Sequence, residues 1–438
     1  MGSKLYVVFA IDAEGPAFDP RHPEILSTWD AVDEFLARIF SPDFRTRVTD
    51  SEGGWLIISW FIMSWTGFTT NPVRRDFGYH KIYDHYMERW GARMREYRDG
   101  VYWHYHHPPP SGVGNEWGKD WSANQEYYNI LNRLIIDRGY FPAVFRAGGT
   151  IETNESSAWL ERWIPFDYSN RAGDLDWDKR EGRHLLRDLC DWNRAPADWS
   201  PYHPSPEDYQ RPGNMKRVIP RCPELLTNHH GLEEADIVMA FERAKCLSEK
   251  RYKRHPYAAY TDAWGCVGYV FRIGSKEGKG TILATFDHDY RDRTEIFVER
   301  FPEPLARVAR RYPTVHWRYA SALKAAQSAL GYHGLKGPEF AVHFDPAKKA
   351  FVITADCPLF GHRPYVVCQY PDSGEYIYEE VQPIAERTWL LPVDETKRAR
   401  LIGIASSDAF GNVGLKLFFW DGRHLKALTA PGGELWKT

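Results

Sequence analysis

An α/β fold built on a parallel sheet, followed by a β-sandwich, is what the sequence predicts, and three observations carry that expectation. Continuous apolar runs such as Leu5–Ile11 and Trp55–Trp65 read as strands buried on both faces, the habit of parallel sheets covered by helices. Such runs alternate with helical periodicity from the start of the chain to about residue 332. From Gly334 the pattern gives way to about seven short strands separated by turn clusters, the signature of a sandwich. The expected domains are therefore 1–332 and 333–438. Alternation alone allows either a barrel or a doubly wound sheet for the first of them.

The elements follow in order. The opening strand runs into Asp12, Glu14 and a Gly15-Pro16 turn. Thr28–Phe40 is helical, with Val32, Phe35, Leu36 and Ile39 on one face. After the strand at Trp55–Trp65, one helix is expected over Tyr79–Tyr97. A strand over Gly100–His107 is stopped by three prolines. Helices are expected at Trp121–Arg138, with Gly139 as the stop, and from the Asn154 cap to Trp163. Strands are expected at Phe141–Arg146 and Pro165–Ser169. Residues 170–232 are irregular and rich in Pro, Asp, Arg and Trp. Further on, Glu233–Tyr252, Arg293–Arg311 and Ser321–Leu330 read as helices, and Trp264–Ile273, Thr281–Phe286 and Thr314–Tyr319 as strands. The tail strands are Phe340–Phe344, Ala350–Ala355, Tyr365–Tyr370, Tyr376–Val381, Thr388–Pro392, Arg400–Ser406 and Leu415–Trp420.

Composition bounds the function. The 438 residues, 43 % hydrophobic and 26 % charged, are those of an ordinary globular chain of two or three domains. A net charge of −3 lacks the basic field that a nucleic-acid partner requires. Aromatics reach 15 %, with 18 Trp and 25 Tyr, and such rings stack on sugars as well as fill cores. The six cysteines (190, 222, 246, 266, 357 and 368) have no metal-ligand spacing, so reduced thiols and a cytoplasmic location are expected. No run is long enough to span a bilayer, and no charged-then-apolar leader is present. A homo-oligomer is compatible with all of this.

Polar residues gather at four expected strand ends: Asp12 and Glu14; His104, His106 and His107; Arg146; and Asp287 with His288. In an α/β sheet these ends share one face. A carboxylate with two imidazoles suits a divalent metal, a second carboxylate can take a proton from water, and a separate histidine can give one to a leaving group. His229-His230 reads as loop. Asp174, Asp176 and Asp178 have calcium-like spacing but lack the glycine and distal glutamate of an EF-hand, and read as a solvated run. The long segment at 170–230, carrying Trp177, Trp192, Trp199, Tyr202 and Tyr209, is expected to wall a substrate cleft, with packing against the β-rich tail as the competing reading.

The ordered set Ile11-Asp12-Ala13-Glu14, His104-Tyr105-His106-His107-Pro108, Phe145-Arg146-Ala147-Gly148-Gly149 and Phe166-Asp167-Tyr168-Ser169 resembles a polysaccharide deacetylase of the NodB-like superfamily (carbohydrate esterase family 4). Tyr202-His203-Pro204-Ser205 and Arg211-Pro212-Gly213 add to the likeness, which covers roughly residues 5–320. The resemblance implies a distorted (β/α) barrel and one divalent metal, zinc first, that activates water against an acetyl group on a carbohydrate. It implies Asp12 as catalytic base, Arg146 as the residue orienting it and His288 as general acid. Glu14 stands where the family has a metal-binding Asp, and His104 with His106 supplies the imidazoles. The usual histidine pair is four residues apart, but Pro108 stands four after His104, so His107 competes with His106 as ligand. Asp167, Trp199, Tyr202 and Asp287 are the expected substrate contacts. In the tail, Asp408–Gly414 resembles the late hairpin of bacterial immunoglobulin-like or fibronectin-like modules. Two other functions fit the same residues: a metal-free glycoside hydrolase using two carboxylates, and a glycan-binding protein whose catalytic face has decayed.

Overall fold

The computed structural model describes residues 3–18, 24–64, 74–75, 80–108, 118, 120–122, 125–172, 192–225, 232–248, 280–332, 336–370, 372–393 and 399–429. The expected strand Trp264–Ile273, His229-His230, Trp177 and the Asp174, Asp176, Asp178 run lie outside the described residues.

In chain order the α/β part holds β1 (Ser3–Ala13), β2 (Ala17–Phe18), α1 (Trp29–Ile39), α2 (Pro42–Thr46), β3 (Ile58–Ser64), β4 (Arg74–Arg75), α3 (Lys81–Arg89), α4 (Gly91–Tyr97) and β5 (Gly100–Tyr105). It continues through α5 (Glu126–Arg138), β6 (Val144–Ala147), α6 (Asn154–Leu160), β7 (Phe166–Asp167), α7 (Glu234–Ser248) and β8 (Thr281–His288). Last come α8 (Thr294–Arg300), α9 (Pro302–Ala309), β9 (Val315–Tyr319) and α10 (Ala322–Leu330). The tail adds β10 (Phe340–Asp345), β11 (Ala350–Ala355), β12 (Tyr365–Tyr370), β13 (Glu375–Tyr378), β14 (Gln382–Ala385), β15 (Thr388–Pro392), β16 (Leu401–Ser407), β17 (Val413–Trp420) and β18 (Leu425–Leu428).

The chain divides into two compact units. The first is 1–121, 144–157 and 166–333; the second is 122–143, 158–165 and 334–438. Thus α5, expected with the α/β domain, belongs with the β-rich tail.

The first unit is a curled, parallel seven-stranded sheet in the order β7-β6-β5-β3-β1-β8, with β9 also on β1. A strand has two edges, and β1 uses one for β8 over Leu5–Asp12. The other edge is divided: β9 takes Ser3–Val7 and β3 takes Phe9–Ala13. Being paired on both edges and covered on both faces, Leu5–Ala13 is at most 7 % exposed, which explains its unbroken apolar run. Each such aliphatic or aromatic side chain contributes about 1.5–3 kcal/mol by leaving water. The helices cover this sheet as amphipathic elements. In α1 the buried residues are the four read from its periodicity, and Thr28 caps it by accepting from Ala31 N at 3.2 Å. The expected helix at Tyr79–Tyr97 is two, α3 and α4, because Trp90 leaves helical geometry (φ −120°, ψ −10°). Likewise Arg293–Arg311 breaks at Phe301, ahead of Pro302. A buried pair ties this layer to the sheet: Asp99 receives Arg45 Nη1 and Nη2 at 2.8 and 2.7 Å, Ile58 N at 2.9 Å and Trp60 Nε1 at 2.8 Å.

The second unit has two antiparallel sheets, β10-β11-β15-β14 and β13-β12-β16-β17-β18. One core draws on both, with Phe351, Ile353 and Trp389 from the first and Val366, Ile402 and Phe418 from the second. In α5, Asn132 accepts from Tyr365 Oη at 2.8 Å and donates to Tyr376 O at 3.0 Å. Arg133 lies 4.6 Å over the Tyr376 ring. In the β16–β17 turn, Asp408 Oδ1 accepts from Phe410 N and Asn412 N at 2.8 and 2.9 Å while Gly411 takes φ +78°.

Candidate metal centre

Register brings the strand ends together. Asp12 on β1 lies opposite Phe61 on β3 and His288 on β8. Ala13 and Trp103 both pair with Ile62, so the next residues, Glu14 and His104, leave the sheet at one height with β3 between them. Arg146 pairs directly with His104. Asp12, Glu14, His104, Arg146 and His288 therefore converge at the carboxyl ends of β1, β5, β6 and β8, where parallel sheets place ligands.

The centre is a triangle of potential ligands. Glu14 Oε1 is 3.3 Å from His104 Nε2 and 3.1 Å from His106 Nε2, and the two Nε2 atoms are 3.0 Å apart. His104 Nδ1 donates to Arg146 O at 3.0 Å. A carbonyl can only accept, so Nδ1 carries the hydrogen and neutral His104 presents the lone pair of Nε2 to the triangle. Electron-rich atoms at these distances need a shared proton or a cation among them. Tetrahedral ligands about 2.0–2.1 Å from an ion stand roughly 3.3 Å from one another, which is the spacing found here. These residues could hold a metal ion.

Around the triangle, Arg146 Nε donates to Asp12 Oδ2 at 2.8 Å and Arg146 Nη1 to Tyr168 O at 2.6 Å. Asp12 Oδ1, buried, has no hydrogen-bond partner among the described residues. His288 Nε2 faces Glu14 Oε1 at 3.8 Å, and its side chain is 14 % exposed. Burial works against a charged His288, but hydrogen bonding to Asp287 and the charges of Glu14 and Glu224 outweigh it and Arg291, so its pKa is raised.

No family model, no curated protein and no solved structure matches this chain.

Four expectations are corrected by this geometry. His107 is not a ligand: its Nδ1 lies 3.2 Å from Tyr105 Oη, its Nε2 donates to Asp120 O at 2.9 Å, and its ring stacks on Trp121. In extended backbone residues two apart share a side, so His106 joins His104 and His107 turns away. Asp287, fully buried, accepts from His288 N at 2.8 Å and lies 3.4 Å from Arg293 Nη1; it holds the histidine and meets no cleft. Asp167 is enclosed at 1 % exposure, with Ser169 Oγ at 2.5 Å and an ion pair to Arg217, which also binds Glu152 at 2.7 Å. Trp199 and Tyr202 wall no cleft either. Trp199 is 0 % exposed, with Nε1 donating to Asp236 O at 2.9 Å and the Arg221 guanidinium 4.2 Å over its ring. Tyr202 donates to Tyr209 O at 2.9 Å inside a small core with Trp192 and Ile219.

Two participants escaped the sequence reading. Asp289 accepts from Glu14 N and Gly15 N, both at 2.9 Å, and from Tyr86 Oη at 2.7 Å, fixing the turn that carries Glu14. Its presence in the Asp287-His288-Asp289 run was the available signal. Glu224 sits on a segment that bridges to Phe286 alongside β8, and its Oε1 lies 3.8 Å from His288 Nδ1; nothing local marked it. Glu224, Asp287 and His288 also group closely enough to hold a cation. Arg171 and Arg291 stand 3.6 and 3.5 Å from Glu224, however, and Arg293 stands 3.4 Å from Asp287. Those guanidiniums already supply the positive charge, so the group serves to orient His288.

Proposed function

We propose that this chain is a metal-dependent hydrolase that removes an N- or O-acetyl group from a sugar or glycan precursor, on a domain of the NodB-like deacetylase type. The observation that carries the reading is the Glu14–His104–His106 triangle, 3.0–3.3 Å on each side, beside the unpartnered Asp12 Oδ1. Glu14, His104 and His106 would hold the ion, and two imidazoles with one carboxylate suit zinc. A divalent ion there would polarise an acyl carbonyl and make water acidic enough to react near neutral pH.

The remaining work falls to the chain's own residues. Arg146, anchored on Tyr168 O, fixes Asp12 through Oδ2 and leaves Oδ1 to accept a proton from the attacking water. His288, whose pKa the surrounding carboxylates raise, carries the proton that a departing amine or alkoxide needs. The motifs Phe145-Arg146-Ala147-Gly148-Gly149 and His104-Tyr105-His106-His107-Pro108 support a carbohydrate as substrate.

Acetate release from a panel of N- and O-acetylated sugars tests this reading. Release is expected to stop with a chelator and return with zinc, and Asp12→Asn is expected to lower kcat by about 10²–10⁴-fold with zinc still bound. Hydrolysis that continues in the chelator, or no release from any member of the panel, would contradict it.

A further inference from the structure

We infer that Gly148 is a positioning residue for this centre: the absence of a side chain there makes the space in which the His106 ring reaches Glu14 and His104. The inference rests on the metal reading above and adds to it a residue that touches no ion. Gly148 follows β6 on a tightly held turn. Ala147 N donates to Ser169 Oγ at 2.8 Å, Ile151 N to Gly148 O at 3.2 Å and Trp192 Nε1 to Thr150 O at 2.9 Å. Thr150, a β-branched residue, is held at φ +57°, a conformation such residues rarely adopt, so the turn has little room to relax.

A Cβ placed on Gly148 would lie 2.3 Å from His106 Cγ, 2.4 Å from Cδ2 and 2.8 Å from Cα. Cγ and Cα are the base of the side chain, not its flexible end. The ring could escape only by swinging about its Cα–Cβ bond, which carries Nε2 away from Glu14 Oε1 and His104 Nε2, now at 3.1 and 3.0 Å. No neighbour can replace it, since the nitrogens of His107 are engaged by Tyr105 and Asp120 and the next residue is Pro108. The two glycines of the motif thus do different things. Gly149 supplies a left-handed backbone (φ +59°), whereas Gly148 supplies space.

The test is a cycle of Gly148→Ala, His106→Ala and the double variant in the full chain, with zinc affinity read by calorimetry and the imidazole carbon–proton resonances read by NMR in metal-free protein. Gly148→Ala is expected to weaken zinc roughly 10–100-fold, as His106→Ala does, with no further loss in the double variant. Wild-type zinc affinity in Gly148→Ala, or losses that multiply in the double, overturns the inference. If wild type binds no zinc, the functional reading fails and NMR decides: displaced His106 ring signals uphold the role of Gly148, and unmoved signals overturn it. If Gly148→Ala alone fails to fold, recovery of the fold in the double variant upholds it, and continued misfolding overturns it.

Discussion

At the scale of single residues, adjacent histidines behave differently because strand alternation sends them into different surroundings. His106 enters the polar triangle, while His107 packs on Trp121 and burial pushes its pKa down to about 4, against the backbone bond to Asp120. A histidine whose folded pKa lies below the usual 6.5 takes up its proton more readily when unfolded. Its effect on stability is therefore nil above about pH 7, grows as pH falls from 6.5 to 4 and then levels off, at most about 3 kcal/mol. His288, with a raised pKa, acts oppositely: its stabilising effect is present below pH 6.5 and is lost as pH rises through the folded pKa. Urea denaturation at pH 7.5 and pH 4.5 is expected to show a smaller acid-induced loss in His107→Gln than in wild type; equal losses would count against a buried neutral His107. The identity of the cluster was legible in the sequence, because Asp12, Glu14, His104, Arg146 and His288 sit at the ends of apolar runs. The choice between His106 and His107 was also present there, in the two-residue period of extended backbone. The fates of Asp167, Asp287, Trp199 and Tyr202 were not, since a residue type does not disclose what encloses it.

At the scale of elements, the centre depends on turns that leave the sheet as much as on the strands. The β1 turn is fixed by one carboxylate, Asp289, that satisfies two backbone N–H groups and the Tyr86 hydroxyl. Removing the carboxylate strands buried donors, whereas removing the hydroxyl deletes one bond. Asp289→Ala is therefore expected to cost roughly 2–4 kcal/mol and Tyr86→Phe about 1 kcal/mol in chemical denaturation, with zinc affinity lost mainly in the former. Equal, small effects would show that Glu14 is held by other means. Periodicity located most strands and helices of the α/β part, because each buries one defined face. It did not find the breaks at Trp90 and Phe301, where a few degrees of backbone end one helix and start another. It also misjudged 192–225, whose aromatic content reads equally well as a binding wall or a core; the tight packing of Trp192, Tyr202, Tyr209 and Ile219 makes it core.

At the scale of the whole molecule, the change of sequence character at Gly334 marked the start of the antiparallel sheets correctly, yet the second compact unit also takes 122–143 and 158–165. Local amphipathicity tells that α5 has a face to bury but not which sheet receives it; the bonds of Asn132 to Tyr365 and Tyr376 show that it is the sheet of β12 and β13. Among the described residues no helix is long and apolar enough to cross a membrane. The central claim is that distant strand ends build one metal centre. Zinc titration of the intact, chelator-treated chain by calorimetry tests it most directly. One ion per chain is predicted in wild type and none at that site in Glu14→Ala/His104→Ala, whereas a wild-type chain that takes up no zinc, or a double variant that binds it unchanged, would contradict the claim.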